Sequence, residues 1–119
     1  MRLSEELRDR TKRFASLVLR FYVTLPKNRP EVQVVGRQLL RSGTSVAAHS
    51  REASRARSPA EFCSKIDGLL QEADESQLWL ELLNEDCKIT GETVDSLLKE
   101  VTELIAIFVT IVQKTRSKS

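Results

Sequence analysis

A chain of 119 residues, 40% apolar and 30% charged, has the size and composition of one globular domain with a single core. It has no apolar run near the ~20 residues of a membrane span and no signal peptide at MRLSEELRDR, so we expect a cytoplasmic protein without membrane contact. One histidine and two cysteines without CxxC or zinc spacing do not make a familiar metal or nucleophilic site. We therefore predict no metal, no cofactor and no enzymatic activity.

Apolar residues recur at helical spacing in four successive stretches, and short polar connections separate them. This pattern predicts an all-α protein, an up-down-up-down antiparallel four-helix bundle over residues 1–116. The predicted helices cover about residues 4–24, 30–54, 58–86 and 91–114, and a disordered tail is expected at residues 117–119.

Local signals set several of these boundaries. Pro30 suits the first turn of the second helix, and Ser58 is expected to cap the third helix in a capping box with Glu61. Thr90 is expected to cap the fourth helix. Gly43 lies inside the second helix, where glycine costs up to ~1 kcal/mol relative to alanine, so we predict a close helix crossing there.

The second helix has a cationic side opposite its apolar side. At ~100° per residue, four of its arginines fall within roughly 80° of one another, and two further basic residues follow in the sequence. Arginine suits phosphate because its planar group donates two hydrogen bonds at once, and no aromatic residue interleaves the stripe for base stacking. The first functional hypothesis is therefore binding of RNA or DNA by Arg37, Arg41, Arg51, Arg55, Arg57 and Lys65.

Charge is distributed unevenly along the chain, which leaves a second hypothesis open. Residues 27–57 contain seven basic residues against two acidic ones, whereas residues 58–110 contain three basic residues against twelve acidic ones. The basic and acidic halves could attract each other within the fold or between subunits. The protein would then be a purely structural or protein-binding adaptor.

Charged residues at the edges of the second and third helices also have a structural interpretation. We predict a charge-paired network that fixes helix register, composed of Arg41, Glu52, Lys65 and Glu72. His49 lies about 70° from the centre of the apolar face, so we expect it to be bonded to a neighbouring helix rather than to be catalytic.

Two apolar doublets point away from the predicted core. Leu19 and Val23 form one on the first helix, Leu78 and Leu82 form the other on the third, and Trp79 lies beside the second doublet. A wider buried arc would account for them, but we favour an oligomer interface because paired outward apolar residues indicate a contact surface.

The segments RSGTSVAAHSREASRARSPAEF and KIDGLLQEADESQLWLELL resemble the small bacterial four-helix-bundle proteins. That family was first met as open reading frames inside intervening sequences of large-subunit ribosomal RNA genes, and the accessory variability protein of diversity-generating retroelements is a more distant relative. The matching positions are Arg41, Ser42, Ser45, Val46, Glu52, Ala53, Ser58, Glu61, Phe62, Lys65, Glu72, Ala73, Glu75, Trp79, Leu80, Leu82 and Leu83.

Three residues depart from the family pattern. His49 replaces the usual Asn, Ser50 an apolar residue, and Arg51 a small one. The resemblance implies a four-helix bundle that assembles into a ring-shaped homopentamer. The retroelement relative is thought to bind nucleic acid and a reverse transcriptase, which by analogy favours the first functional hypothesis.

Overall fold

Four α-helices make up the computed structural model of the protein, which describes residues 2–118. The predicted all-α fold is confirmed, and no strand occurs among the described residues. Each helix packs against the next one in the chain, and α1 also packs against α4, which closes a bundle measuring 50 × 21 × 20 Å. The helices are α1 (Glu5–Thr24), α2 (Pro30–Ser54), α3 (Pro59–Glu85) and α4 (Glu92–Ser117).

The N-terminal cap of α3 is close to the one predicted. Ser58 Oγ accepts a hydrogen bond from the Glu61 N–H at 3.0 Å. The Glu61 carboxylate returns to the N–H of Arg57 at 3.3 Å rather than to that of Ser58, so the capping box is displaced by one residue. This cap ends a short connection that keeps α2 and α3 side by side.

Both ends of α4 differ from the prediction. The N-cap of α4 is Gly91 rather than Thr90, so the expected threonine cap is wrong. The φ of Gly91 is 129°, a conformation that a residue with a side chain adopts only with strain. Ser117, predicted to belong to the tail over residues 117–119, is the last residue of α4, because Arg116 pairs with Asp67 of α3 at 2.6 Å and holds the last turn. Ser119 lies outside the described residues.

The core is a continuous line of apolar side chains contributed by all four helices. Phe14, Phe62 and Phe108 are fully buried, and leucine, isoleucine and valine fill the layers between them. Each such side chain contributes about 1.5–3 kcal/mol through burial, so the core fixes which side of each helix faces solvent.

Gly43 brings α2 close to α1, as the sequence predicted. A Cβ atom at Gly43 would lie 3.0 Å from both methyl carbons of Val18, closer than most real contacts. The outer sides of α1 and α2 therefore lie next to each other at this level of the bundle. None of the helices among residues 2–118 is long and apolar enough to cross a lipid bilayer.

Candidate nucleic-acid interface

The outer side of α2 carries the arginines that the helical wheel had grouped together. Val32, Leu39 and Val46 are fully buried on the inner side. The four arginines of the stripe, Arg37, Arg41, Arg51 and Arg55, are all exposed on the opposite side. Burial of the apolar side thus orients the cationic side toward solvent.

Arg41 differs from the other three because two glutamates of α3 hold it. Its Nη2 lies 2.6 Å from Glu75 Oε1, and its Nη1 lies 3.2 Å from Glu72 Oε1. Partial burial lowers the pKa of Arg41, but the hydrogen bond to Glu75 and the charge of Glu72 outweigh it and raise that pKa overall. Two carboxylates already hold its guanidinium, so Arg41 has fewer donors to offer a phosphate than the other three arginines.

The guanidinium groups of Arg37, Arg51 and Arg55 have no ion pair and no side-chain hydrogen bond within residues 2–118. Arg57 is also exposed, and its contact with Glu61 is made by the backbone N–H alone. These four arginines keep all their side-chain donors available to an external partner.

Lys65 lies in the seam between α2 and α3 rather than on the arginine stripe. Its Nζ is 3.2 Å from Glu52 Oε1, and the residue is half-buried. The four residues predicted as one network therefore lie in two clusters, because Arg41 and Glu52 are about 16 Å apart along α2. One cluster joins Arg41 to Glu72, and the other joins Lys65 to Glu52.

His49 packs against a neighbouring helix but is not hydrogen-bonded to it. Its ring lies against Gly68 of α3, where an added Cβ would be 2.9 Å from His49 Cε1. Its Nδ1 is 3.5 Å from Glu52 Oε1 of the same helix, which is too long to satisfy the buried nitrogen as a hydrogen bond. The expected bond to a neighbouring helix is thus replaced by packing.

The first helix adds cations that the sequence interpretation had not included. A depression of about 310 Å³ lies between α1 and α2, and four of its lining side chains are basic. Two of them, Arg8 and Lys12, come from α1 at i, i+4 spacing, which was the signal available in the sequence. The lining residues are Glu5, Arg8, Asp9, Lys12, Arg51, Ser54 and Arg55.

A larger depression of about 720 Å³ lies where α3 begins and α4 ends. The buried thiol of Cys63 and the side chains of Lys114 and Lys118 line it. It opens at the same end of the bundle as the C-terminal end of α2, because α2 and α4 run in the same direction. Basic residues therefore collect at this end from three helices.

The predicted oligomer residues fall into two groups. Leu19, Val23 and Leu78 are 49%, 59% and 46% exposed, so a wider buried arc does not account for them. Leu82 and Trp79 are half-buried, and Trp79 packs against the core with its Nε1 buried and without a hydrogen-bond partner. Leu19 and Val23 belong to α1 and Leu78 to α3, two helices that do not pack against each other. An interface at these residues stays a prediction.

Among residues 2–118, no group of histidine, cysteine, aspartate or glutamate side chains is arranged to hold a metal ion. Among the carboxylates of α3, Asp67, Glu72 and Glu75 are engaged with arginine side chains and Glu61 with the N-terminal cap, whereas Asp74, Glu81 and Glu85 are exposed to solvent.

Comparison with known proteins places the chain in a family. The model of the 23S rRNA-intervening sequence protein family matches residues 5–110. The chain belongs to this family. A crystal structure of a protein of unknown function from the S23 ribosomal protein family of Bacteroides thetaiotaomicron is similar to it, with 37% identity and a TM-score of 0.80, over 88% of this chain and 96% of that one.

The search of curated proteins found no match to this chain. Neither description above names an enzymatic activity, and the solved relative is described as having unknown function. The exposed arginines of α2 are the feature of this structure that best indicates a function.

Proposed function

We propose that this protein is a non-enzymatic, self-associating binding protein that contacts nucleic acid through the outer side of α2. The observation that carries the proposal is that Arg37, Arg51 and Arg55 are exposed and have no ion pair within residues 2–118. A guanidinium that no carboxylate holds presents a planar set of donors to phosphate oxygens.

The predicted set is kept in part. Arg57 stays in it, because its side chain is exposed just beyond the end of α2. Arg41 and Lys65 are left out, since glutamates of the bundle hold both. The family is named after intervening sequences of 23S rRNA, which makes RNA a partner to test alongside DNA.

A second candidate function has its own supporting observation. The outer sides of α3 and α4 carry exposed carboxylates with no ion pair among the described residues, at Asp74, Glu81, Glu85 and Asp95. A second copy could place its arginines against these acids, and the protein would then be a structural or protein-binding adaptor. In this case the arginines are paired with carboxylates of a neighbouring subunit, and they are not available to bind phosphate.

We further propose a homopentameric ring in the cytoplasm. Exposed Leu19, Val23 and Leu78 supply apolar contact surface for self-association, and the number five rests on the family resemblance alone. Cys63 and Cys87 are free thiols, which suits a reducing compartment.

Fluorescence anisotropy with a labelled oligonucleotide over a salt series tests the nucleic-acid proposal. The logarithm of the affinity should fall by about 0.7 to 0.9 per phosphate neutralised for each unit of log salt. Arg51→Gln should weaken binding on every sequence and flatten that slope, whereas Arg41→Gln, the matched control, should leave affinity within about twofold.

The adaptor gives a different result in the same assay. It requires no binding at low salt, and it requires Arg51→Gln to lower the mass of the assembly measured by light scattering. Equal loss of affinity in the two variants would contradict the assignment of distinct roles to Arg41 and Arg51.

A further inference from the structure

The depression between α1 and α2 extends the cationic surface beyond α2. Arg8 and Lys12 of α1 face Arg51 and Arg55 of α2 across it. Each pair is one helical turn, or ~6 Å, apart, and packed helix axes lie ~8–10 Å apart. Four cations therefore surround one shallow site of about 310 Å³.

The charge balance of this site favours an anion. Glu5 and Asp9 also line it, but four basic groups outnumber two acidic ones. None of these six side chains forms an ion pair within the described residues, so the cations are not neutralised by direct contact. A polyanion in contact with both helices would be attracted to the four cations and would reduce the repulsion among them.

The aromatic residues indicate which form of nucleic acid suits this surface. The four phenylalanines are buried, and Tyr22 and Trp79 are half-buried, so no aromatic side chain among residues 2–118 is exposed. Proteins that bind single strands commonly stack unpaired bases on exposed aromatic rings. A surface without such rings depends on phosphate contacts alone.

Phosphate contacts alone favour a duplex. Double-stranded nucleic acid carries one charge per ~1.7 Å of axis, and each neutralised phosphate releases more counterion from a B-form duplex than from a single strand. The bundle is an elongated body 50 Å long, and the arginines of α2 span ~27 Å of it, which suits a stiff duplex better than a flexible single strand.

We infer that Arg8, Lys12, Arg51 and Arg55 form one site for the phosphate backbone of a nucleic-acid duplex. The inference rests on the proposed function and adds α1 to the interface. It assigns double-stranded over single-stranded nucleic acid as the ligand class. Base sequence plays little part, because nothing at the site reaches a base edge.

The test compares two double variants of equal net charge. Arg8→Gln with Lys12→Gln removes the α1 cations of the site. Lys88→Gln with Lys99→Gln removes two exposed lysines that lie outside it. All four side chains are exposed, and a thermal melt of each variant verifies that the bundle remains folded.

Anisotropy is measured with a DNA duplex, an RNA duplex and the corresponding single strands. We expect the α1 variant to lose affinity for duplex by about tenfold per lost contact at 0.1 M salt, and the control to lose less than about twofold. We also expect at least one duplex to bind more tightly than its own single strands, with a steeper salt slope.

Each failure has a distinct meaning. If the wild type binds no nucleic acid, both the proposed function and this inference are wrong. If Arg51→Gln weakens binding but the α1 variant matches the lysine control, the proposed function stands and the shared site is wrong. If single strands bind as tightly as both duplexes, the assignment of a duplex ligand is wrong.

Discussion

At Gly43, one hydrogen atom in place of a side chain decides how close two helices come. An alanine Cβ would meet both methyl carbons of Val18, which is fully buried and cannot swing away. Overpacking of this kind costs about 1–3 kcal/mol, and the higher helix propensity of alanine returns up to ~1 kcal/mol. We therefore expect Gly43→Ala to lower the free energy of unfolding by about 1 kcal/mol in urea denaturation.

Gly68→Ala is the matched control for that substitution. Its Cβ would meet the outer edge of the His49 ring, a half-buried side chain that can move. The gain in helix propensity should then dominate, and the free energy of unfolding should stay unchanged or rise by up to ~1 kcal/mol. Stabilisation by both substitutions would show that α1 can move away from α2.

The contrast between Arg41 and Arg51 shows how far the site could be predicted from the sequence. A helical wheel correctly placed both residues on the outer side of α2, because burial of the apolar side fixes orientation. It could not show that Glu72 and Glu75 reach Arg41, since that depends on the rotation of α3 and on its distance from α2. Partners across helices are a tertiary property.

At the scale of elements, α1 and α4 touch least, and an arginine joins them. Arg10 Nε lies 2.7 Å from Glu100 Oε2, its Nη2 lies 2.8 Å from Glu100 Oε1, and Glu103 accepts a third bond at 3.1 Å. The hydrogen bonds to Glu100 contribute most to raising the pKa of Arg10 above its ordinary value. The pair is bidentate and about three-quarters covered, which makes it stronger than an ordinary surface contact.

Arg10→Ala should therefore lower the free energy of unfolding by about 1.5–3 kcal/mol, measured by denaturant titration. Arg29→Ala is the comparison, because Arg29 pairs with Glu31 in an exposed contact at 3.0 Å that is worth less than ~1 kcal/mol. Hydrogen exchange in α1 should quicken in the first variant alone. Equal losses of unfolding free energy in the two variants would contradict the role of Arg10 in holding α1 against α4.

The helices themselves were predictable within a few residues, and the exceptions have physical causes. Proline, serine caps and apolar spacing are local signals, and they place the starts of α2 and α3 correctly. The end of α4 depends on the ion pair between Arg116 and Asp67, a contact across helices. The buried hydrogen bond of 2.7 Å between Ser42 and Ser76 was missed for the same reason.

At the scale of the whole molecule, the surface is divided along the bundle axis. Antiparallel packing puts the start of α1, the end of α2 and the end of α4 at one end, where Arg8, Lys12, Arg55 and Lys114 collect. The other end contains the ends of α1 and α3 and the starts of α2 and α4, where Glu81, Glu85 and Glu92 lie among basic residues such as Lys27, Arg29 and Lys88. The positive charge of one copy is therefore concentrated at the first end.

Leu19 and Leu78 lie away from the cationic end. Leu19 follows Val18, which packs beside Gly43, and Leu78 lies two residues past Ser76, which bonds Ser42. Both are therefore ~16 Å or more along the axis from the turn of α2 that holds Arg55. Self-association at the apolar residues and phosphate binding at the cationic end can occur together.

This separation leads to a prediction about assembly. Leu78→Lys places a charge at one of the exposed apolar positions, so the mass measured by light scattering should fall from that of an oligomer larger than a dimer. Val109→Lys is the control, because Val109 is an exposed apolar residue of α4, whereas the predicted interface residues belong to α1 and α3. Trp79 is the spectroscopic reporter, and its emission should shift to the red in the first variant alone.

The same variant separates assembly from nucleic-acid binding. If the cationic end lies outside the subunit contact, a dissociated Leu78→Lys subunit keeps its own phosphate contacts and loses those of its neighbours. The salt slope should then fall in proportion to the number of subunits that had bound one duplex, while Arg51→Gln in the dissociated subunit still reduces what remains. Retention of full mass by Leu78→Lys would show that subunits meet elsewhere. If the dissociated subunit showed no binding even at low salt, where the contacts of one copy are strongest, a complete site within each copy would be contradicted.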